Sequence, residues 1–139
     1  MRIRLVVLAL VTMVLSACDP NVLRLDVGTC FDDPTDIEGG VDSVPIIDCA
    51  EPHDNEVYAN RELTEDEFPG TEGIEDRSGE VCLAAFADYV GIAYEESVYD
   101  IGWMNPTSET WALGDREVIC FGFEMEFAKI SGSIRGRAE

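Results

Sequence analysis

The chain has 139 residues, 29 acidic and 9 basic, for a formal net charge of −20. That length suits one compact domain behind a leader segment. Acid spread along the whole chain repels nucleic acid and anionic headgroups, which excludes a DNA- or RNA-binding role. It reads first as a solvated surface, with attraction to a cation or basic partner as the sharper alternative.

Residues 1–17 have the layout of an export signal: Arg2 and Arg4, a short apolar run from Leu5 to Leu15, then small residues. The run is too short to span a bilayer as a mature helix. Leu15-Ser16-Ala17-Cys18 is the box that a diacylglyceryl transferase and a lipoprotein signal peptidase would modify and cut. Cys18 is therefore the expected lipidation site, and the expected location is extracytoplasmic, anchored in the cell membrane by lipid. The plainer alternative is an ordinary signal peptide with a nearby cysteine. Residues 18–21 would form a short lipidated linker that holds the domain close to the membrane.

With Cys18 lipidated, Cys30, Cys49, Cys82 and Cys120 remain. An even number in an exported domain points to disulfides, and four cysteines allow three pairings. Zinc is the rival reading, but the chain lacks a CxxC pair and has a single histidine, so no metal or other cofactor is expected.

Residues 22–128 read as the folded domain. Val22 to Val27 alternates loosely and predicts a strand ending before Gly28-Thr29-Cys30-Phe31. Asp32 to Gly40 is an acidic, turn-rich loop. Its spacing fails the EF-hand pattern, because Pro34 and Ile37 fall where a ligand and a glycine belong, leaving at most an irregular weak calcium site. Val41 to Cys49 predicts a second strand, with Pro45 marking an edge or bulge. Glu51-Pro52-His53-Asp54 is a turn, and Asn55 to Leu63 a third strand. Cys30 and Cys49 would then lie at facing ends of neighbouring strands, which favours their pairing.

From Glu80 the period changes. Val81, Ala85 and Tyr89, and likewise Cys82, Phe86 and Val90, recur every four residues and predict a helix ended by Gly91. An earlier start near Gly73 or Ile74 is open, though Gly79 weakens it. Ser97 to Met104 predicts a strand, and Pro106 to Leu113 a helical turn presenting Trp111. Glu117 to Phe127 predicts a long strand with Ile119, Phe121, Phe123, Met125 and Phe127 on one face. A Cys82–Cys120 bond would staple helix to sheet. Residues 129–139 read as a frayed, flexible tail.

Chemistry-bearing residues are sparse. His53 with Glu56 could be ligands or a base with its orienter, but bracing of the turn is the simpler role. No Gly-x-Ser-x-Gly motif is present, and no catalytic residue is assigned. Trp103 and Trp111 are either recognition residues or core.

Taken in order, Gly28-x-Cys30-Phe31, Val44-Pro45, Cys49-x-x-Pro52-His53-Asp54-x-Glu56-Val57-Tyr58, Phe68-Pro69-Gly70, Cys82 to Gly91, and Pro106-Thr107 through Trp111, Gly114-Asp115-Arg116 and Cys120 resemble the septum-formation family of actinobacteria. The resemblance covers residues 26–123 and implies an extracytoplasmic domain behind a lipobox or membrane helix, with a link to cell division. It suits the two bridges. It singles out the Pro-His-Asp and Gly-Asp-Arg turns: if both lie at one end of the sheet, His53, Glu56, Trp111 and Arg116 would form one binding surface. The blander alternative is an Arg116–Asp54 or Arg116–Glu56 ion pair that braces the turns.

The expected fold is α+β: a mostly antiparallel sheet of about five strands, one main helix on one face, and two disulfides. The expected function is a non-enzymatic, lipid-anchored envelope domain that binds an envelope or division protein, or a wall component. A wall hydrolase using paired carboxylates and a structural lipoprotein without a ligand are the alternatives.

Overall fold

The computed structural model describes residues 23–35, 41 and 43–139. The leader, Cys18 and the linker lie outside the described residues, as do residues 36–40 of the acidic loop. Five strands form one antiparallel sheet in the order β2-β1-β3-β5-β4: β1 (Cys30–Phe31), β2 (Ile46–Ile47), β3 (Asn55–Glu62), β4 (Tyr99–Met104) and β5 (Glu117–Glu124). A long helix, α1 (Gly70–Val90), packs on one face, and a short helix, α2 (Ser108–Ala112), precedes β5. This is the α+β architecture expected from the sequence, with both expected disulfides, Cys30–Cys49 and Cys82–Cys120. Among the described residues no helix is long and apolar enough to cross a membrane.

α1 begins ten residues before Glu80. Its first turns carry glycine and acid, which are poor reasons for a helix by propensity alone. Tertiary contacts hold them instead. Glu75 accepts from Trp103 Nε1 at 2.9 Å and from Asn105 Nδ2 at 3.0 Å, and Arg77 pairs with Glu65 at 2.7 Å. Gly79 lets the Trp103 indole approach, since a Cβ there would lie 3.2 Å from the ring. The buried stripe runs Ile74, Ser78, Cys82, Phe86, Val90 in steps of four, joined by Ala85 and Tyr89. Gly91 ends the helix at φ 90°, its N–H donating to the Ala87 carbonyl.

The strands are shorter than the sequence suggests. Val22–Val27 was expected to pair, but residues 23–28 form no strand. The chain turns there, with Thr29 N–H donating to Asp26 O at 3.0 Å and Gly28 at φ 92°. Leu25 packs down on the sheet instead, and its carbonyl accepts from Asn60 Nδ2 at 2.7 Å. β5 stops at Glu124 because the chain reverses there. The Glu124 carboxylate takes the amides of Glu126 and Ala128, and Phe127 N–H donates to the Glu124 carbonyl. In β3 the register shifts between Val57 and Ala59, so Tyr58 and Ala59 both join the helix-side core while Val57 faces the other way.

Residues 129–139 are not the frayed tail expected from their polarity. They form a strap over the helix side of the sheet. Ile130 exchanges both backbone hydrogen bonds with His53, and Ile134 is fully buried. Gly136 and Ala138 donate to the carbonyls of Tyr89 and Val90 at the end of α1. Arg137 and Glu139 bond the Tyr99 hydroxyl. Gly122 makes room for the strap, since a Cβ there would come within 2.7 Å of Ile134 Cδ1. The two isoleucines, four apart among polar residues, are plugs that no sequence period announces.

Deleting residues 130–139 is expected to lower stability by about 3–6 kcal/mol, from two buried isoleucines at about 1.5–3 kcal/mol each. Gly122→Val, which overpacks the same spot, should cost about 1–3 kcal/mol. Urea unfolding of both variants checks this; a strap deletion that unfolds like the parent chain would show the strap to be peripheral.

Candidate functional site

The expected surface of His53, Glu56, Trp111 and Arg116 does not form. His53 stands just before β3, whereas the Arg116 carbonyl accepts from Leu63 N–H just after it. Eight strand residues separate the two turns, roughly 25 Å at strand rise. Three of the four side chains are also buried: His53 and Glu56 completely, Trp111 to within 5%.

Trp111 and Arg116 make a clamp at one end of the sheet. The guanidinium lies 3.7 Å over the indole ring. Its N–H groups donate to the carbonyls of Glu65, Asp66, Trp111 and Asp115. Trp111 meets Phe68 edge-on at 5.7 Å and donates from Nε1 to Asp66 O. Arg116 thus ties the loop before α1 to the α2–β5 turn, and the ion pairs expected with Asp54 or Glu56 are absent. Asp54 pairs with Lys129 instead, at 2.8 Å, and Lys129 also reaches Asp32 at 2.7 Å. Burial opposes ionisation of Asp54, but hydrogen bonds from Lys129 and the Asp33 amide outweigh it and hold its pKa below the usual range.

Glu56 is the one fully buried acidic side chain among the described residues. It points from β3 to the helix side, where Tyr89 and Ser133 hydroxyls each donate to Oε1 at 2.6 Å. Ile134 N–H donates to Oε2 at 2.7 Å. One carboxylate therefore joins sheet, helix and strap. His53 lies beside it: Nδ1 faces the Glu51 carbonyl at 2.8 Å, an acceptor only, so Nδ1 is the donor of that contact. Among the described residues Nε2 is buried without a hydrogen-bond partner. A His53 nitrogen, a Glu56 oxygen and Cys30 Sγ lie within 4.8 Å of one another. These three are a poor metal site as they stand. Cys30 Sγ is bonded to Cys49, and the Glu56 carboxylate already accepts from three donors.

The opposite face of the sheet is covered differently. Leu25, Phe31, Val57 and Ile119 bury one part of it, helped by Leu23, Val44 and Met104. Beyond them a cleft of about 260 Å³ remains open. Its apolar walls are Phe121, Phe123 and Phe127, and Asp33, Asp54 and Glu124 line it as well. Phe121 lies over Gly102, where a Cβ would come within 2.4 Å of the ring, and packs edge-on against Phe31. Phe127 stacks on Phe123 with centroids 5.6 Å apart and is 81% exposed. Its φ is 59°, a left-handed conformation that is costly for a bulky side chain. The alternation of β5 announced these aromatics in the sequence. Nothing there showed that the N-terminal segment would cover only some of them.

Glu56→Ala should destabilise by about 3 kcal/mol or more, since it strands two buried donors, the Tyr89 hydroxyl and the Ile134 N–H. Glu56→Gln should cost far less, because its oxygen can face Ile134 N–H while the two hydroxyls rotate to accept from the amide. Equal losses in thermal melts of both variants would contradict this geometry. A second expectation concerns alkali. Burial raises the pKa of Tyr58, of Tyr89 (aided by Glu56) and of Tyr99 (aided by Glu139), and the Asp100 hydrogen bond raises that of Tyr94. Groups with raised folded pKa contribute stability below their unfolded value, about 10, and lose it as pH rises through the folded values. Tyrosinate absorbance should therefore rise together with unfolding above about pH 10; tyrosines that ionise at their free value in a folded chain would contradict it.

Comparisons with curated proteins and with solved structures return no significant match. A family model described as septum formation matches residues 17–120. The match takes in both disulfides, His53, Glu56, α1 and Arg116, and it ends before the cleft phenylalanines and the strap. The chain belongs to the septum formation family.

Proposed function

We propose that the protein is a lipid-anchored, extracytoplasmic domain without enzymatic activity, which binds a protein partner of the envelope or division machinery during septum formation. The family supports the septal link. The lipobox Leu15-Ser16-Ala17-Cys18 supports the anchor, with Cys18 carrying the lipid.

The observation that carries the binding role is the aromatic cleft. Three phenylalanines at its walls, one strained and mostly exposed, form an apolar surface that a folded domain gains nothing by leaving open to water. Its lining contains no serine, cysteine or histidine, which favours binding over nucleophilic catalysis. The only histidine is sealed beneath the strap and serves the fold.

Cells depleted of the protein should place septa abnormally, and the wild-type gene should restore them. Cys18→Ala should leave the protein folded and in the soluble fraction, with no diacylglyceryl mass, and fail to restore septa. An unlipidated wild-type protein, or full rescue by Cys18→Ala, would overturn the anchored role.

A further inference from the structure

We propose that the Phe121–Phe123–Phe127 cleft receives a basic segment of a protein partner, with one arginine or lysine side chain laid against the rings. This deepens the partner-binding role and rests on it. Charge complementarity selects the occupant. The chain carries a net charge of −20, and the cleft joins aromatic faces, which attract cations, to carboxylates. Lys129 already pairs with Asp54 and with Asp32. The other two carboxylates remain for a ligand. Asp33 accepts from the Asn55 amide, and Glu124 from the amides of Glu126 and Ala128; among the described residues neither meets a cation.

The geometry around Phe127 points the same way. The Glu124 turn forces Phe127 to φ 59°, where glycine would sit without strain. The ring then extends the wall that begins with Phe121 and Phe123. A planar guanidinium can stack on such a wall and still donate at its edge to a carboxylate; an acidic or neutral segment gains neither contact.

The test titrates the full chain, purified in detergent, with a short capped Gly-Arg repeat peptide and with its citrulline counterpart, which keeps the shape without the charge. Saturable binding of the arginine peptide is expected, shifting the ring resonances of Phe123 and Phe127. The citrulline peptide should bind about tenfold more weakly. Phe127→Gly should also bind about tenfold more weakly while melting at the same or a higher temperature, which separates a binding ring from a structural one. Asp33→Asn should weaken binding, and Glu72→Gln, which removes an equal charge on α1, should not. Equal binding of both peptides, equal effects of Asp33→Asn and Glu72→Gln, wild-type affinity in Phe127→Gly, or no saturable binding would each overturn the proposal. If that happens while Cys18→Ala still fails to restore septa, the anchored role stands and the basic occupant of the cleft falls.

Discussion

The buried carboxylate of Glu56 is the constraint around which the rest of the fold is arranged. A carboxylate removed from water is tolerated only when donors surround it. Here the donors come from two separate parts of the chain: Tyr89 on the main helix, and Ser133 and Ile134 on the C-terminal strap. Sheet, helix and strap must therefore close together. Several nearby details follow from that requirement. Gly122 opens a notch for Ile134, Ile130 pairs with His53, and the strap ends by bonding the last carbonyls of the helix.

The two faces of the sheet consequently meet different fates. One is sealed by the helix and the strap and pinned by Cys82–Cys120. The other has only the segment around Leu25, with Leu23, Val44 and Met104, while Cys30–Cys49 clips the short strands at the sheet's edge. The disulfides constrain the unfolded chain by about 2–4 kcal/mol each, which matters for a domain with so uneven a core. The half-covered face leaves an aromatic cleft edged with acid, and that is where the functional interest of the molecule lies. His53 and Glu56 hold the molecule together, and so do Trp111 and Arg116 at the far end of β3.

Much of the architecture was legible in the sequence, for identifiable reasons. The four-residue spacing of Cys82, Phe86 and Val90 and the strict alternation of β5 are direct imprints of helix and strand geometry. The disulfides followed once those elements were placed. The N-terminal half of α1 was left open by the sequence, with a start near Gly73 or Ile74 as one choice, because Trp103 and Asn105, distant in sequence, supply its stability through Glu75. The strap was illegible because two isoleucines among polar residues carry no period. The supposed joint surface failed because turns similar in composition lie at opposite ends of one strand. The left-handed Phe127 had no local signal either: the turn that imposes it is built by the carboxylate of Glu124, a residue that alternation alone placed within a strand.

The central claim is that the Glu56 carboxylate locks the strap to the core as one cooperative unit. Native-state hydrogen exchange at the Ile134 amide, the donor to Glu56 Oε2, tests it most directly. The account predicts that this amide exchanges only by global unfolding, with a protection free energy within about 1 kcal/mol of that of the central β3 and β5 amides. Rapid exchange at Ile134 while β3 and β5 stay protected would contradict it.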